Sequence, residues 1–145
     1  MRTAAALAAL LLASCNAQTA TPPSISVDAA WARATLPGQT SSAAYFVIAN
    51  AGGADALVSV TSPAGDASLH SSSMEGGVMR MRPLERLDVP ASSTVSLSPG
   101  GTHLMLTGLK APLAAGSGVP LELSFAKSGK KQVMATVRAA GGESM

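Results

Sequence analysis

The chain has 145 residues, enough for one ordinary domain and too few for two well-cored ones. Hydrophobic residues make up 47% against 12% charged, which excludes disorder along the whole length. A net charge of +2 and an aromatic content of 3% argue against nucleic-acid binding, which needs many basic contacts to phosphate or aromatic platforms for bases.

The chain opens on Met1-Arg2, followed by an apolar stretch over residues 3–14 (TAAALAALLLAS). Spanning a bilayer takes about 20 helical residues, so this stretch is too short and fits the apolar region of a secretory leader. It ends Leu12-Ala13-Ser14-Cys15, which resembles a bacterial lipobox. The reading expects residues 1–14 to be removed and Cys15 to carry a lipid; the alternative is an ordinary signal peptide with a stray cysteine. Cys15 is the only cysteine, so no intramolecular disulfide can form. Residues 15–24 then read as the lipidated Cys and a polar, Pro-containing tether. The expected location is periplasmic, held to a membrane by the N-terminal lipid.

Beyond Pro23, Gly and Pro recur too often for long helices. Ile25, Val27, Ala29 and Trp31 keep period two, with Trp31 expected in the core and Arg33 at the surface. Ala43–Ala49 is a nearly continuous apolar run and Leu57–Val60 follows, so residues 43–60 read as a hairpin. Ser68–Ser73 and Val78–Arg82 flank a turn at Glu75-Gly76-Gly77. Val95 and Leu97 alternate before Pro99-Gly100-Gly101, and Thr102–Leu106 comes next. Leu121, Leu123 and Phe125 pair with Val133, Ala135 and Val137 in a C-terminal hairpin. The expectation is an all-β domain over residues 25–138, an antiparallel β-sandwich or partly open barrel of about eight or nine strands, with a flexible tail over 139–145.

Both histidines fall in one pattern: His70, ten residues, Met81, twenty-one residues, His103, one residue, Met105. On a strand, positions two apart share a face, so His103 and Met105 point the same way, and Met81 points away from Arg80 and Arg82. A site uniting His70, Met81, His103 and Met105 needs three neighbouring segments. Thioether sulfur is soft and selects soft ions, above all Cu(I). Zinc prefers thiolate, imidazole and carboxylate, and calcium or magnesium wants oxygen. Thioethers are also not lost to disulfide formation in an oxidising compartment. Any one Met is more often core filler than ligand; the combination with two His is what points to a metal. Met79 reads as packing or as support behind the ligands, and Met74 as a loop residue near the site. Met134 reads as structural. Glu75 and Asp66 are candidate acceptors orienting His70. Arg80, Arg82 and Arg86 either guide docking onto an acidic partner or form a solvated strand face.

With these residues in view, the chain resembles the periplasmic copper chaperone family written PCu(A)C. The similarity extends beyond the four donors to Trp31–Thr35, Ala43–Asn50, Gly77–Pro83, Gly100–Met105 and the Leu121–Phe125 segment, and covers residues 25 to 138. The resemblance implies a cupredoxin-like fold binding one Cu(I) per chain through His70, Met81, His103 and Met105. It also implies delivery of copper to the binuclear copper centre of cytochrome c oxidase, directly to the accepting subunit or through a Sco-type partner. Ser71 stands where many members carry Met or Glu, which removes an auxiliary ligand. The tail lacks the His/Met-rich extension of some relatives, so no second Cu(II) site is expected there.

An enzyme is not expected. A blue-copper centre needs a Cys thiolate beside two His, and the only cysteine is the lipidation site. The competing reading is a metal-free lipoprotein scaffold.

Overall fold

The computed structural model describes residues 21–139. The expected leader, the expected lipidation at Cys15, the first part of the tether and residues 140–145 lie outside the described residues. Ten strands follow in order: β1 (Ile25–Arg33), β2 (Ser42–Asn50), β3 (Asp55–Thr61), β4 (Asp66–Glu75), β5 (Val78–Leu84), β6 (Leu87–Val89), β7 (Ser93–Ser96), β8 (His103–Thr107), β9 (Gly118–Phe125) and β10 (Gly129–Arg138). They form one sheet in the order β5-β4-β8-β2-β1-β10-β9-β3-β6, with β7 pairing β2 beyond the end of β8.

The all-β, cupredoxin-like expectation holds, with three corrections. The strands number ten, the short β6 accounting for the difference, since Val95 of the expected segment falls on β7. The pairing is mixed, because β1 runs parallel to β10 while the other paired strands are antiparallel. And residues 43–60 are not a hairpin: β3 pairs with β6 and β9, not with β2. The cause is Asp55 at the start of β3. Its carboxylate accepts bonds from the backbone N–H of Lys127 at 2.8 Å and of Ser128 at 3.0 Å, and from the Ser128 hydroxyl. These tie β3 to the β9–β10 turn, on the far side of the core from β2.

The sheet rolls around a single core. Phe46 and Ile48 of β2, Leu57 of β3, Leu104 and Leu106 of β8, Leu121 and Leu123 of β9 and Val137 of β10 are all fully buried. Each such side chain contributes about 1.5–3 kcal/mol relative to exposure. The period-two patterns of β2 and β9 follow from this: alternate residues face the core.

In β1 the period breaks. Ala29 adopts φ 53°, and the register against β2 shifts between Asp28 and Trp31. This bulge turns Val27 and Ala32 inward, opposite Ile48 and Ala44, and turns Trp31 out. Trp31 is therefore half-buried on the outer face, not in the core. It stacks on Tyr45 at 4.6 Å between ring centres, with the Arg138 guanidinium over it and Arg33 over Tyr45.

Candidate metal centre

The donors lie on three adjacent strands at one side of the sheet, β5-β4-β8. The β4–β8 register pairs His70 directly with His103 and Ser68 with Met105. The β4–β5 register pairs Ser72 with Met81. Cross-strand partners share a face, and residues two apart share a face, so His70, His103, Met105 and Met81 all project from the outer surface of the sheet. Leu69, Leu104 and Leu106, the intervening residues, point into the core. The alternation that builds the core therefore also builds the donor face.

The two imidazole rings lie 6.0 Å apart between centres, tilted by 40°. An ion bound to one nitrogen of each ring at about 2 Å, with each nitrogen about 1.1 Å from its ring centre, holds the centres no more than about 6.2 Å apart. At 6.0 Å the rings stand near that limit, which only a nearly linear nitrogen–metal–nitrogen arrangement reaches, so a four-donor site requires them to close by about 1 Å. His103 is buried, and its Nδ1 lies 3.0 Å from the Gly101 carbonyl. A carbonyl only accepts, so Nδ1 carries the proton and Nε2 presents a lone pair. The same carbonyl accepts the backbone N–H of Ser72, which fixes β4 two residues past His70. His70 is half-buried and places Nε2 3.1 Å from the Ser68 hydroxyl, leaving Nδ1 as its other coordinating atom.

The two sulfurs differ in setting. Met105 is half-buried, beside a shallow depression of about 300 Å³ that Arg33, Leu36, Gln39 and Ala43 also line. Met81 is 53% exposed on β5, a strand at the sheet edge. Among the described residues no three His, Cys, Asp or Glu side chains gather as a metal-binding group. The groups beside the two imidazoles on this face include thioether sulfurs, which suit a soft ion.

Two expectations are corrected. Glu75 does not orient His70. It sits on the opposite face of β4, where its carboxylate pairs with Arg80 at 3.1 Å and Arg82 at 2.8 Å. Met74 is not in a loop but on β4, paired with Met79 on β5 and facing the same way as the four donors. Arg80 and Arg82 share the single carboxylate of Glu75, and Arg86 pairs with Asp88 at 3.0 Å; all three side chains are largely exposed, in keeping with a solvated strand face. Asp66 lies on the donor face, opposite Thr107 and beyond Ser68. The polar groups that do hold the histidines, Ser68 and the Gly101 carbonyl, each stand two residues before the histidine they touch. For Ser68 that spacing on β4 is the sequence signal, since it places the hydroxyl on the face of His70; the Gly101 carbonyl, a backbone group before β8, gives none.

A small β domain with two imidazoles and two thioethers on one outer face defines a class of protein, and comparison with known proteins agrees. The copper-bound PCuAC domain of PmoF2 superposes with a TM-score of 0.69 at 25% identity, covering 80% of this chain and 93% of that one. Apo-DR1885 from Deinococcus radiodurans gives 0.63 at 28% identity, covering 97% of both chains, and its Cu(I) form gives 0.58 at 31%, covering 87% and 83%. The fold is thus PCuAC-like. Within that class the chain belongs to the family described as "Putative lipoprotein LpqE-like", which it matches over residues 25–137. A relative from Leifsonia xyli subsp. xyli, "Putative lipoprotein Lxx21020", is 35% identical over 117 residues, spanning 79% of this chain and 69% of that protein.

Proposed function

We propose that the protein is a Cu(I) carrier, not an enzyme, binding one ion through His70, Met81, His103 and Met105. The observation that carries this reading is the direct pairing of His70 with His103, flanked on the same face by the two thioethers. All four donors are neutral, so the bound ion keeps its charge and no thiolate is available for blue-copper redox chemistry. Protons compete only for the two imidazoles, so copper affinity falls on acidification. The named copper forms of the structural relatives support the choice of metal.

A carrier must release its cargo as well as hold it. His103, Met105 and His70 sit on strands built into the core sheet, whereas Met81 comes from the exposed edge strand. Met81 is therefore the donor on the side from which an acceptor can approach the ion. The acceptor in this reading is the binuclear copper centre of cytochrome c oxidase, reached directly or through a Sco-type copper protein. Lipidation at Cys15 would hold the domain on the periplasmic side of a membrane; the lipoprotein names of its family and relative support the lipid anchor.

The test is anaerobic titration of the purified protein with Cu(I) against a competing chelator, with X-ray absorption at the copper edge. One equivalent with mixed nitrogen and sulfur scattering is expected. Binding that is unchanged in a Met81→Ala, His103→Ala double variant overturns the reading in favour of a metal-free scaffold.

A further inference from the structure

Beyond the four donors, the outer face carries two more sulfurs. Met74 and Met79 are direct cross-strand partners near the end of the β4–β5 hairpin, closed by Gly76 and Gly77 at φ 59° and 80°. Positive φ at both positions suits a tight two-residue turn, which fixes the register and with it the facing of the two methionines. Directly opposed residues hold their Cβ atoms about 4.5–5.5 Å apart, and the diagonal neighbour two residues on about 7–8 Å away. Met81 is that diagonal neighbour of Met74, and it stands two residues from Met79 on the same strand. Three long, flexible side chains of this kind can converge their sulfurs on one point.

Their exposure is the second observation. Met74 is 64% exposed, Met79 54% and Met81 53%, and none belongs to the core cluster or to the side chains packed against it. Met134 is also 62% exposed, but it has a structural contact, since its sulfur lies against Gly118, where a Cβ would collide with it. Three thioethers gathered on a solvent-exposed hairpin have no packing role to explain them. The face also carries no carboxylate beside them, since Glu75 turns to Arg80 and Arg82 on the other side.

We infer that Met74 and Met79, sharing Met81, form a second, all-thioether site for a soft monovalent cation, through which Cu(I) reaches and leaves the four-donor site. Met81 belongs to both sets. An ion can exchange imidazole nitrogens for the sulfurs of Met74 and Met79 while staying bound to Met81, so it never becomes a free aqueous ion. No electron is transferred and no proton moves on sulfur; only dative bonds exchange. This inference rests on the proposed copper site, and the following experiment separates the two.

The test uses the full chain in detergent, with methionine methyls labelled for NMR, and Ag(I) as a redox-inert stand-in for Cu(I). The first equivalent is expected to shift the Met81 and Met105 methyls, and further Ag(I) the Met74 and Met79 methyls. A Met74→Leu, Met79→Leu variant keeps an apolar cross-strand pair and therefore the hairpin. It should retain the first step, lose the second, and hand Cu(I) to a chelator about tenfold more slowly, a modest change in barrier. If Met81 and Met105 shift but Met74 and Met79 stay fixed at excess Ag(I), the second site is overturned and the four-donor site stands. If the Met105 methyl never responds, the four-donor site is overturned, and with it the route proposed here. An unchanged transfer rate in the leucine variant overturns the route even where the methyls shift.

Discussion

His103 donates from Nδ1 to the carbonyl of Gly101 at 3.0 Å, and this one bond decides which nitrogen the ring offers to a metal. A strand alone would set the direction of the side chain but leave the tautomer open. The carbonyl closes that choice, and because it also accepts Ser72 N–H it couples the orientation of one histidine to the strand that carries the other.

Removing the hydroxyl that holds the second ring should cost less than removing a ligand. Ser68→Ala is expected to weaken Cu(I) binding about tenfold, in the usual range for a group that orients a metal-binding histidine. His70→Ala should weaken it far more. Chelator competition measures both, and equal losses would mean that Ser68 itself coordinates the metal.

The two methionines should separate in their effect on stability. Met81 is mostly exposed, so Met81→Ala is expected to change the unfolding free energy of the apo protein by less than about 0.5 kcal/mol. Met105 is half-buried, and Met105→Ala should cost about 1–2 kcal/mol, below the range of fully buried methionines. Urea titration of the apo protein checks the difference, while both variants lose copper affinity.

Asp55 should act as a latch on the far side of the core. Burial by itself pushes its carboxyl up, but hydrogen bonds from the Ser128 hydroxyl and the backbone N–H of Ala56, Lys127 and Ser128 outweigh it and hold the group below its ordinary value of 3.8. With the folded value lowered, its stabilisation is complete above the ordinary value and disappears as the pH falls through the lowered one. Acid unfolding of the wild type should therefore include an Asp55 step below about pH 4. That step should be absent in Asp55→Ala, which at neutral pH is expected to lose about 1–3 kcal/mol. Identical pH profiles of wild type and variant would rule the latch out.

The chain leading into β1 should be intolerant of added bulk. A Cβ on Gly52 would overlap the carbonyl of Pro22, and one on Gly53 the carbonyl of Thr21; Gly53 also donates to Pro22 at 3.1 Å. Gly52→Ala is expected to destabilise the domain by about 1–3 kcal/mol and to expose residues 21–24 to proteases. Limited proteolysis followed by mass spectrometry reads this directly.

Much of the donor face was legible in the sequence because a strand has one simple rule. The one-residue gap between His103 and Met105, and the alternation of Met81 with Arg80 and Arg82, fix facing without any knowledge of neighbours. The β4–β5 and β9–β10 hairpins were legible for a related reason, since a short Gly-containing turn joins adjacent strands. What stayed hidden depended on distant partners. The placement of β3 beside β9 follows from Asp55 reaching the backbone of residues more than seventy positions away. The outward turn of Trp31 follows from a bulge at Ala29, a residue type that seldom takes positive φ and so gives no warning. Glu75 was misjudged because closeness in sequence to His70 said nothing about which side of β4 it would occupy.

An accessible ligand needs an open sheet edge, and β5, whose strand partner is β4, supplies one. An open edge is also a template on which a second chain can add a strand and begin to aggregate. The residues that alternate with the methionines answer that hazard. Arg80 and Arg82 put charge along the edge, and Pro83, opposite His70, removes a backbone donor from it. The same short strand that exposes Met81 is thereby made a poor place for another copy of the protein to attach.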